Sequence, residues 1–292
     1  MNNKMNNRKD LDPRIIYFFV LVALALPLIF NYTLKPAKLD NASKLFDIVD
    51  NLQVQKGEVA FLAFDFGPNT KAENETQAKV ILEHLFRKRV PVVLFSLVAV
   101  AEPFLKNMPE NIASDLEQEF NGQFWQYGKD WVNLGYQPGA SLLIQAIPKS
   151  NNLRELFKTD VNGNSLANLD ITKDFDTIEK IKFLGQFTGY VGMVDRYLEF
   201  FKTENYKPLF GHGCTSITIP EAYIYLDSGQ LNGLLEGIAG AAWYSHLLSE
   251  RYVNRKTDSA QVINTGLGVA HLVIILFIIL GNILMFKNLI KK

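Results

Sequence analysis

Two long apolar segments lie at opposite ends of this chain of 292 residues, and they constrain its fold more than any motif between them. The first runs from Ile15 to about Tyr32 and the second from about Val262 to Phe286, and neither contains Lys, Arg, Asp or Glu. About 20 apolar residues span a hydrocarbon core of roughly 30 Å, so both segments qualify as transmembrane helices. The sequence therefore predicts a folded middle region held to a lipid bilayer at both ends.

Each segment has an alternative interpretation. The first could be a cleaved signal peptide, but residues 31–35 (NYTLK) do not supply the small residues that such a cleavage site needs. The second could be a buried core helix, but its length and the flanking Lys287, Lys291 and Lys292 favour a membrane span. We therefore interpret both segments as uncleaved anchors.

Small and polar residues in the second segment suggest contacts inside the bilayer. Gly266, Gly268 and Gly281 would let another helix approach closely. His271 is the one His, Lys, Arg, Asp or Glu residue in either segment, and such residues usually face protein or water inside a membrane. We interpret it as a packing or hydrogen-bonding residue in preference to a proton relay.

The distribution of basic residues predicts the orientation in the membrane. Seven basic residues lie in the short tails and six in the flanks of the middle region, which is nearly a tie. The positive-inside rule applies to the Lys and Arg residues of short loops and tails, whereas long domains translocate largely regardless of charge. We therefore predict cytoplasmic tails at 1–14 and 287–292, transmembrane helices at 15–33 and 261–286, and an extracytoplasmic (periplasmic) α/β domain at 34–260, held by the inner membrane.

The composition and the missing motifs limit the classes of partner and cofactor that we expect. The formal net charge is zero, so there is no basic excess to bind nucleic acid. No G-x-G-x-x-G follows the first predicted strand and no phosphate-binding loop ending in G-K-S/T occurs, so we expect no cofactor. The expected partners are the lipid bilayer and other membrane or envelope proteins, with a homo-oligomer left open. Cys214 is the single cysteine and does not identify the compartment.

The middle region alternates between apolar runs and amphipathic stretches, which is typical of a parallel sheet covered on both faces. Strands are predicted at 58–66, 91–98, 131–136, 180–187 and 207–210. Helices are predicted at 39–52, 73–88, 99–120 with a break near Pro109, 140–147, 191–201, and as a pair within 220–248. The polar segment 148–177 should form loops and short helices, and is the best candidate for a mobile lid or a partner-binding surface. The fold class is therefore α/β, with a Rossmann-like, doubly wound, mainly parallel sheet.

In open α/β sheets, ligands bind where the carboxyl ends of the strands meet. The turns predicted at that edge supply the candidate ligand-binding residues Asp65, Gly67, Asn69, Ser96, Tyr136, Gly139, Gly211, His212, Cys214, Thr215 and Ser216. The alternative is structural, because tight turns need Gly for positive φ and helix starts need Ser or Thr caps. For Thr215, Ser216 and Thr218, which precede the helix predicted from Pro220, we favour capping.

The sequence gives only weak evidence for a nucleophilic, metal-binding or kinase motif. His212 and Cys214 lie two residues apart with no third group to orient the ring, which disfavours a nucleophilic pair. As metal ligands they would need two further donors, so we assign no metal site. Asp65 precedes Phe66 and Gly67 but lacks the other kinase motifs. Catalytic residues therefore remain unassigned.

Two blocks, residues 127–139 (YGKDWVNLGYQPG) and 210–244 (FGHGCTSITIPEAYIYLDSGQLNGLLEGIAGAAWY), resemble blocks in a family of uncharacterised, membrane-anchored bacterial α/β proteins. Those proteins carry a similar Gly-Tyr-x-Pro-Gly turn and a similar Ser-Gly-Gln-Leu…Gly-Ala-Ala ending. The blocks cover under a quarter of the middle region. The resemblance implies a shared fold with no assigned activity.

Two hypotheses for function follow. We favour a non-enzymatic subunit of a larger cell-envelope or membrane-protein assembly, because the chain has two anchors and no recognisable catalytic set. The apolar residues of segment 231–248 exceed what one helix face requires, which marks an interface unless this helix is buried in the core. The alternative is a ligand-binding or hydrolytic site built from Asp65, Tyr136, His212 and Ser216.

Overall fold

The computed structural model describes residues 12–290, which divide into two compact units. One unit comprises the two ends of the chain, up to Pro36 and from Thr257, and the other is Ala37–Lys256. Five basic residues used to predict the orientation of the tails lie outside the described residues: Lys4, Arg8, Lys9, Lys291 and Lys292.

The terminal unit consists of two apolar helices, α1 (Pro13–Phe30) and α10 (Ser259–Ile290), which pack against each other. Both are long and apolar enough to cross a membrane. They run antiparallel, because Phe19 in α1 lies 5.8 Å from the Phe277 ring late in α10, whereas Leu24, further along α1, meets Gly266 early in α10. A Cβ atom on Gly266 would stand 3.2 Å from the Leu24 carbonyl oxygen, so this glycine permits the close approach of the two backbones.

The other unit is built on a six-stranded, all-parallel sheet in the order β3-β2-β1-β4-β5-β6. The strands are β1 (Val59–Asp65), β2 (Val92–Ser96), β3 (Trp131–Tyr136), β4 (Ile181–Thr188), β5 (Leu209–Cys214) and β6 (Gly233–Glu236). Nearly every strand residue is buried, which explains why the strand sequences are continuously apolar and do not alternate. The strand order changes direction between β1 and β4.

Helices cover both faces of this sheet. One face carries α2 (Asp40–Asp50), α3 (Lys71–Arg87), α4 (Glu102–Glu119) and α9 (Gly237–Arg251), whose apolar residues pack on Ala60, Leu62 and Phe64. The other face carries α5 (Ser141–Ala146), α6 (Leu153–Phe157) and α7 (Met193–Phe200), which pack with Phe61 and Ala63. The remaining helix, α8 (Ile219–Asp227), packs on β5 and β6. The alternation of β1 side chains between two cores follows from the two-residue period of a strand.

The carboxyl half of the sheet differs from the sequence prediction. The Gly-His-Gly-Cys segment was expected in a turn after a strand at 207–210, but it lies within β5 itself. A Cβ atom on Gly213 would stand 2.6 Å from the Phe187 ring, so the glycine serves close packing inside the strand. The first part of the helix expected at 231–248 is a sixth strand, because a short buried apolar run cannot be distinguished from a helix by its periodicity.

Two helical predictions also need correction. Helix α4 continues through Pro109 without the break that was expected there. The apolar surplus of segment 231–248 favours an interface on helix α9, but the central residues of this helix, including Ala241, Tyr244 and Leu248, are buried. Its apolar surplus therefore belongs to the core. Segment 148–177 does consist of loops and short helices, and it buries Leu153 and Phe175 against the sheet.

Candidate functional site

Asp65 ends β1 beside the point where the strand order changes direction, and it is fully buried. Its carboxylate accepts hydrogen bonds from the Leu97 backbone N–H at 2.8 Å and from the Tyr197 hydroxyl at 2.7 Å. Longer contacts of 3.4 Å join it to Ser96 Oγ and Gln186 Nε2. The end of β2 with the residue that follows it, strand β4 and helix α7 therefore provide partners for this carboxylate from inside the protein.

Burial raises the pKa of Asp65, and the hydrogen bonds from Leu97 and Tyr197 offset only part of that effect. Burial, together with the adjacent carboxylate, raises the pKa of Tyr197 well above its ordinary value. Ser96 also turns inward, since its Oγ donates to the Phe64 carbonyl oxygen at 2.7 Å. The arrangement joins strands β1 and β2 to helix α7 and leaves Asp65 with no exposed surface.

The histidine and cysteine of β5 are also buried. His212 donates from Nδ1 to the Gln186 carbonyl oxygen at 3.0 Å, and burial lowers its pKa to about 4. Burial raises the pKa of Cys214 to about 12, so the thiolate that a nucleophile requires is disfavoured. Within residues 12–290, no hydrogen bond joins His212 to Cys214. Gly211, which precedes His212 in β5, lies against the Phe183 ring and Leu45, where a side chain would not fit.

The two polar residues after β5 make contacts that differ from helix capping. The Ser216 backbone N–H donates to Glu73 Oε2 at 2.6 Å, and its hydroxyl lies 3.2 Å from the same oxygen. Thr215 Oγ1 lies 3.3 Å from Thr218 Oγ1. Thr218 is the N-cap residue of α8, and no side-chain hydrogen bond among the described residues caps that helix. Thr218 thus occupies the predicted cap position without a side-chain capping bond, and the capping interpretation was wrong for Thr215 and Ser216.

The other predicted residues are spread along the sheet edge. Gly67 is buried, and a Cβ atom there would stand 2.8 Å from Val100 Cγ2. Asn69 is exposed in the short 3₁₀ turn that precedes α3. Gly139 has φ +98° in an open turn, a conformation that favours glycine. The structure thus brings Asp65 and Ser96 together in the interior, while Asn69, Gly139 and Ser216 remain on the surface.

Sequence reasoning missed the side chain that connects the carboxyl ends of β5 and β6. Gln77, in the middle of α3, is fully buried and donates from Nε2 to the carbonyl oxygens of Cys214, Leu235 and Gly237 at 2.8, 3.1 and 2.9 Å. Satisfying these carbonyl groups lets the two strands end inside the protein. A glutamine in the polar first half of an amphipathic helix carries no local signal for this role.

An open cleft with a volume of about 790 Å³ lies beside the edge strand β3. Helix α4 forms one wall through Glu102, Lys106 and Glu110, and Trp131, Asn133 and Tyr136 contribute from β3. Tyr136 is 39% exposed and is the one predicted site residue that lines this cleft. The volume is in the range of small-molecule sites.

The outer edge of β3 is closed to another strand. Val161 N–H donates to the Asn133 carbonyl oxygen at 3.0 Å, and Gly128 N–H donates to the Trp131 carbonyl oxygen at 2.7 Å. The loop that supplies Val161 is held by Asp160, which accepts from the Tyr127 hydroxyl at 2.9 Å. An extended peptide therefore cannot pair with this strand, and a ligand of the cleft would have to bind through side chains.

Within residues 12–290, no group of three or more His, Cys, Asp or Glu residues is placed to hold a metal ion. No protein-family model, curated protein or solved structure matches the chain. The resemblance noted for blocks 127–139 and 210–244 therefore stays a prediction.

Proposed function

We propose that this chain is a membrane-anchored, non-enzymatic subunit of a larger membrane-protein or cell-envelope assembly, built on a Rossmann-like, doubly wound domain. The strand order β3-β2-β1-β4-β5-β6 and the helices on both faces support that fold type. The two apolar helices at the chain ends support the anchoring.

One observation carries the non-enzymatic part of the proposal. Asp65, His212 and Cys214 have the functional groups best suited to act as acid, base or nucleophile. Each of these residues is at most 2% exposed. Asp65 and His212 have hydrogen-bond partners within the protein. A catalytic group has to reach a substrate, and these groups instead hold the sheet together.

Surface residues at the carboxyl edge support binding to a partner. Three of the connections that follow strands expose large apolar side chains there: Leu142 at the start of α5 after β3, Val191 in the turn after β4 and Ile217 in the turn after β5. Val191 is 76% exposed and Ile217 is 87% exposed. Because the carboxyl ends of parallel strands share one edge, these side chains lie on the same end of the domain. Exposed apolar groups that recur at one edge are typical of an interaction surface.

The partner-binding test compares two exposed apolar residues on opposite edges of the sheet. Ile217→Asp should abolish co-purification of the partner from mild detergent, because it places a charge in the interface. Val253→Asp is the matched control, since Val253 is 90% exposed and follows α9 at the amino edge, where Tyr252 contacts Arg87. Both variants should keep the wild-type unfolding temperature. Equal co-purification by both variants, or a strictly monomeric wild-type particle, would contradict the proposal.

The proposed orientation places the α/β domain on the periplasmic side of the inner membrane and both termini in the cytoplasm. The short basic tails and the length of the domain support it. Protease added to spheroplasts should digest the domain and leave an N-terminal tag intact. Protection of the domain together with loss of the tag would reverse the orientation.

A ligand-binding domain is the second candidate, and the cleft beside β3 favours it. Native mass spectrometry of the full chain released from detergent should then detect a small-molecule adduct. Tyr136→Ala should remove the adduct without unfolding the protein, because this side chain is partly exposed at the cleft. Tyr223→Ala, which changes a comparably exposed tyrosine outside the cleft, should retain it.

A further inference from the structure

Three polar side chains of α10 have no hydrogen-bond partner among the described residues. They are Asn264, His271 and Asn282, all within the apolar stretch of the helix. By contrast, the Thr265 hydroxyl donates to the Gln261 carbonyl oxygen at 2.8 Å and accepts from the Leu34 N–H at 2.9 Å. The segment that follows α1 and the preceding turn of α10 therefore satisfy the Thr265 hydroxyl, whereas the other three side chains have no such partner within residues 12–290.

These three residues lie on one face of α10. Asn264 and Asn282 are 18 residues apart, which is about five turns of an α-helix, and His271 is rotated by only about 20° from both. Gly268 lies on the same face, and no described atom stands within 4 Å of where its Cβ would be.

The opposite side of the helix is occupied by α1. Gly266, which meets the Leu24 backbone, is about 160° around the helix from Asn264. Phe277, which contacts Phe19, is about 140° around from Asn282. The polar face, defined as Asn264, Gly268, His271, Ile275 and Asn282, therefore points away from the helix pair. His271 and Asn282 are exposed in the two-helix unit.

A bilayer makes this exposure unfavourable. At about 1.5 Å per residue, Asn264 and Asn282 are separated by about 27 Å, close to the hydrocarbon thickness, so headgroups could hydrate both. His271 lies only about 3 Å from the midpoint between them, where no water is present to satisfy the imidazole. Polar side chains at this depth are normally buried against protein.

We propose that the polar face of α10 binds the same face of a second copy of this chain, which rests on the membrane anchoring proposed above. Two copies in one bilayer have the same orientation, so their α10 helices run parallel and each residue meets its own counterpart at the same depth. Amide and imidazole groups both donate and accept hydrogen bonds, so Asn264, His271 and Asn282 can each hydrogen-bond to the same residue of the second copy. Gly268 provides room for close approach near the centre of the contact.

Site-specific crosslinking in liposomes tests this proposal with a matched pair of variants. Ile275→Cys places a thiol on the polar face, whereas Phe277→Cys places one on the side that packs against α1. A short bis-maleimide should give a covalent dimer with the first variant and little with the second, even when excess lipid dilutes the protein. Wild-type chain is the background control, because Cys214 is fully buried.

Adding His271→Leu to the Ile275→Cys variant should weaken dimerisation about 3- to 20-fold, the range expected for an interhelical hydrogen bond. Leu280→Ala, which changes an exposed apolar side chain away from the polar face, should leave dimerisation unchanged. Crosslinking that is equal at positions 275 and 277, or that His271→Leu does not weaken, would overturn the proposal. In native membranes, exclusive crosslinking of position 275 to a different protein would also overturn it.

Flotation of the same liposomes separates this result from a failure of anchoring. If the chain does not float with the lipid, the proposed function fails. If it floats but does not crosslink at position 275, only the pairing of α10 fails.

Discussion

Replacing Tyr197 by Phe tests whether Asp65 is a structural residue. The hydroxyl of Tyr197 donates to the Asp65 carboxylate at 2.7 Å, and both residues are fully buried. Phe keeps the ring that packs against Phe95 and Phe201 and removes only this donor. A hydrogen bond to a charged group contributes about 1.5–3 kcal/mol, so Tyr197→Phe should lower the free energy of unfolding by about 2 kcal/mol. For a domain of this size, that corresponds to a decrease of about 4–8 °C in Tm.

Tryptophan fluorescence during urea or thermal unfolding measures this change in the full-length protein. All three tryptophans, Trp125, Trp131 and Trp243, lie in the α/β unit, so their signal reports on that unit even when detergent holds the apolar helices. Tyr223→Phe is the matched control, because that hydroxyl donates to Glu236 at 3.2 Å on a 38% exposed side chain. It should change the free energy of unfolding by less than about 0.5 kcal/mol.

The result that would refute this reasoning is a Tyr197→Phe protein with wild-type stability. If such a protein also lost its partner or a bound ligand, Asp65 and Tyr197 would belong to a functional site. Loss of stability with retained binding is the expected outcome.

Three further predictions concern the same α/β unit. Burial lowers the pKa of His84 and His212 to about 4, so the unfolded chain binds more protons between about pH 6.5 and 4. The free energy of unfolding should therefore be highest above about pH 6.5 and should fall as the pH decreases, by about 2 kcal/mol per histidine at pH 5. Urea titrations above pH 6.5 and at pH 5 measure this difference. Gly135→Ala should cost about 1–3 kcal/mol in thermal unfolding, because φ is +72° there and the site has no room for a Cβ atom. Arg255→Met should cost about 1.5–3 kcal/mol, because it removes charged hydrogen bonds to the buried Glu83 at 2.7 and 2.8 Å while Arg87 remains paired with that carboxylate, and thermal unfolding measures the loss.

Most of the sheet could be predicted because its strands have strong local signals. The run that forms β1 is apolar and ends in Gly67 and Pro68, which fixes both the strand and its end. The end of the sheet that includes β5 and β6 could not be placed in this way. Gly211 and Gly213 resemble turn residues in sequence, and their role becomes visible only when Phe183 and Phe187 fill the space beside them.

The candidate site was less predictable than the fold, because its contacts are distant in sequence. Asp65 was correctly placed at the end of β1, but its partner Tyr197 lies 132 residues away on α7. Gln77 bonds residues that follow it by at least 137 positions. No local pattern reports such contacts, and the burial that distinguishes a structural carboxylate from a catalytic one depends on them.

Alkaline carbonate extraction of membranes from cells that produce the full chain tests the central claim most directly. The claim is that α1 and α10 hold the α/β unit to a lipid bilayer. The protein should then remain in the membrane pellet, together with known transmembrane proteins. Its release into the supernatant with peripheral proteins would contradict the claim.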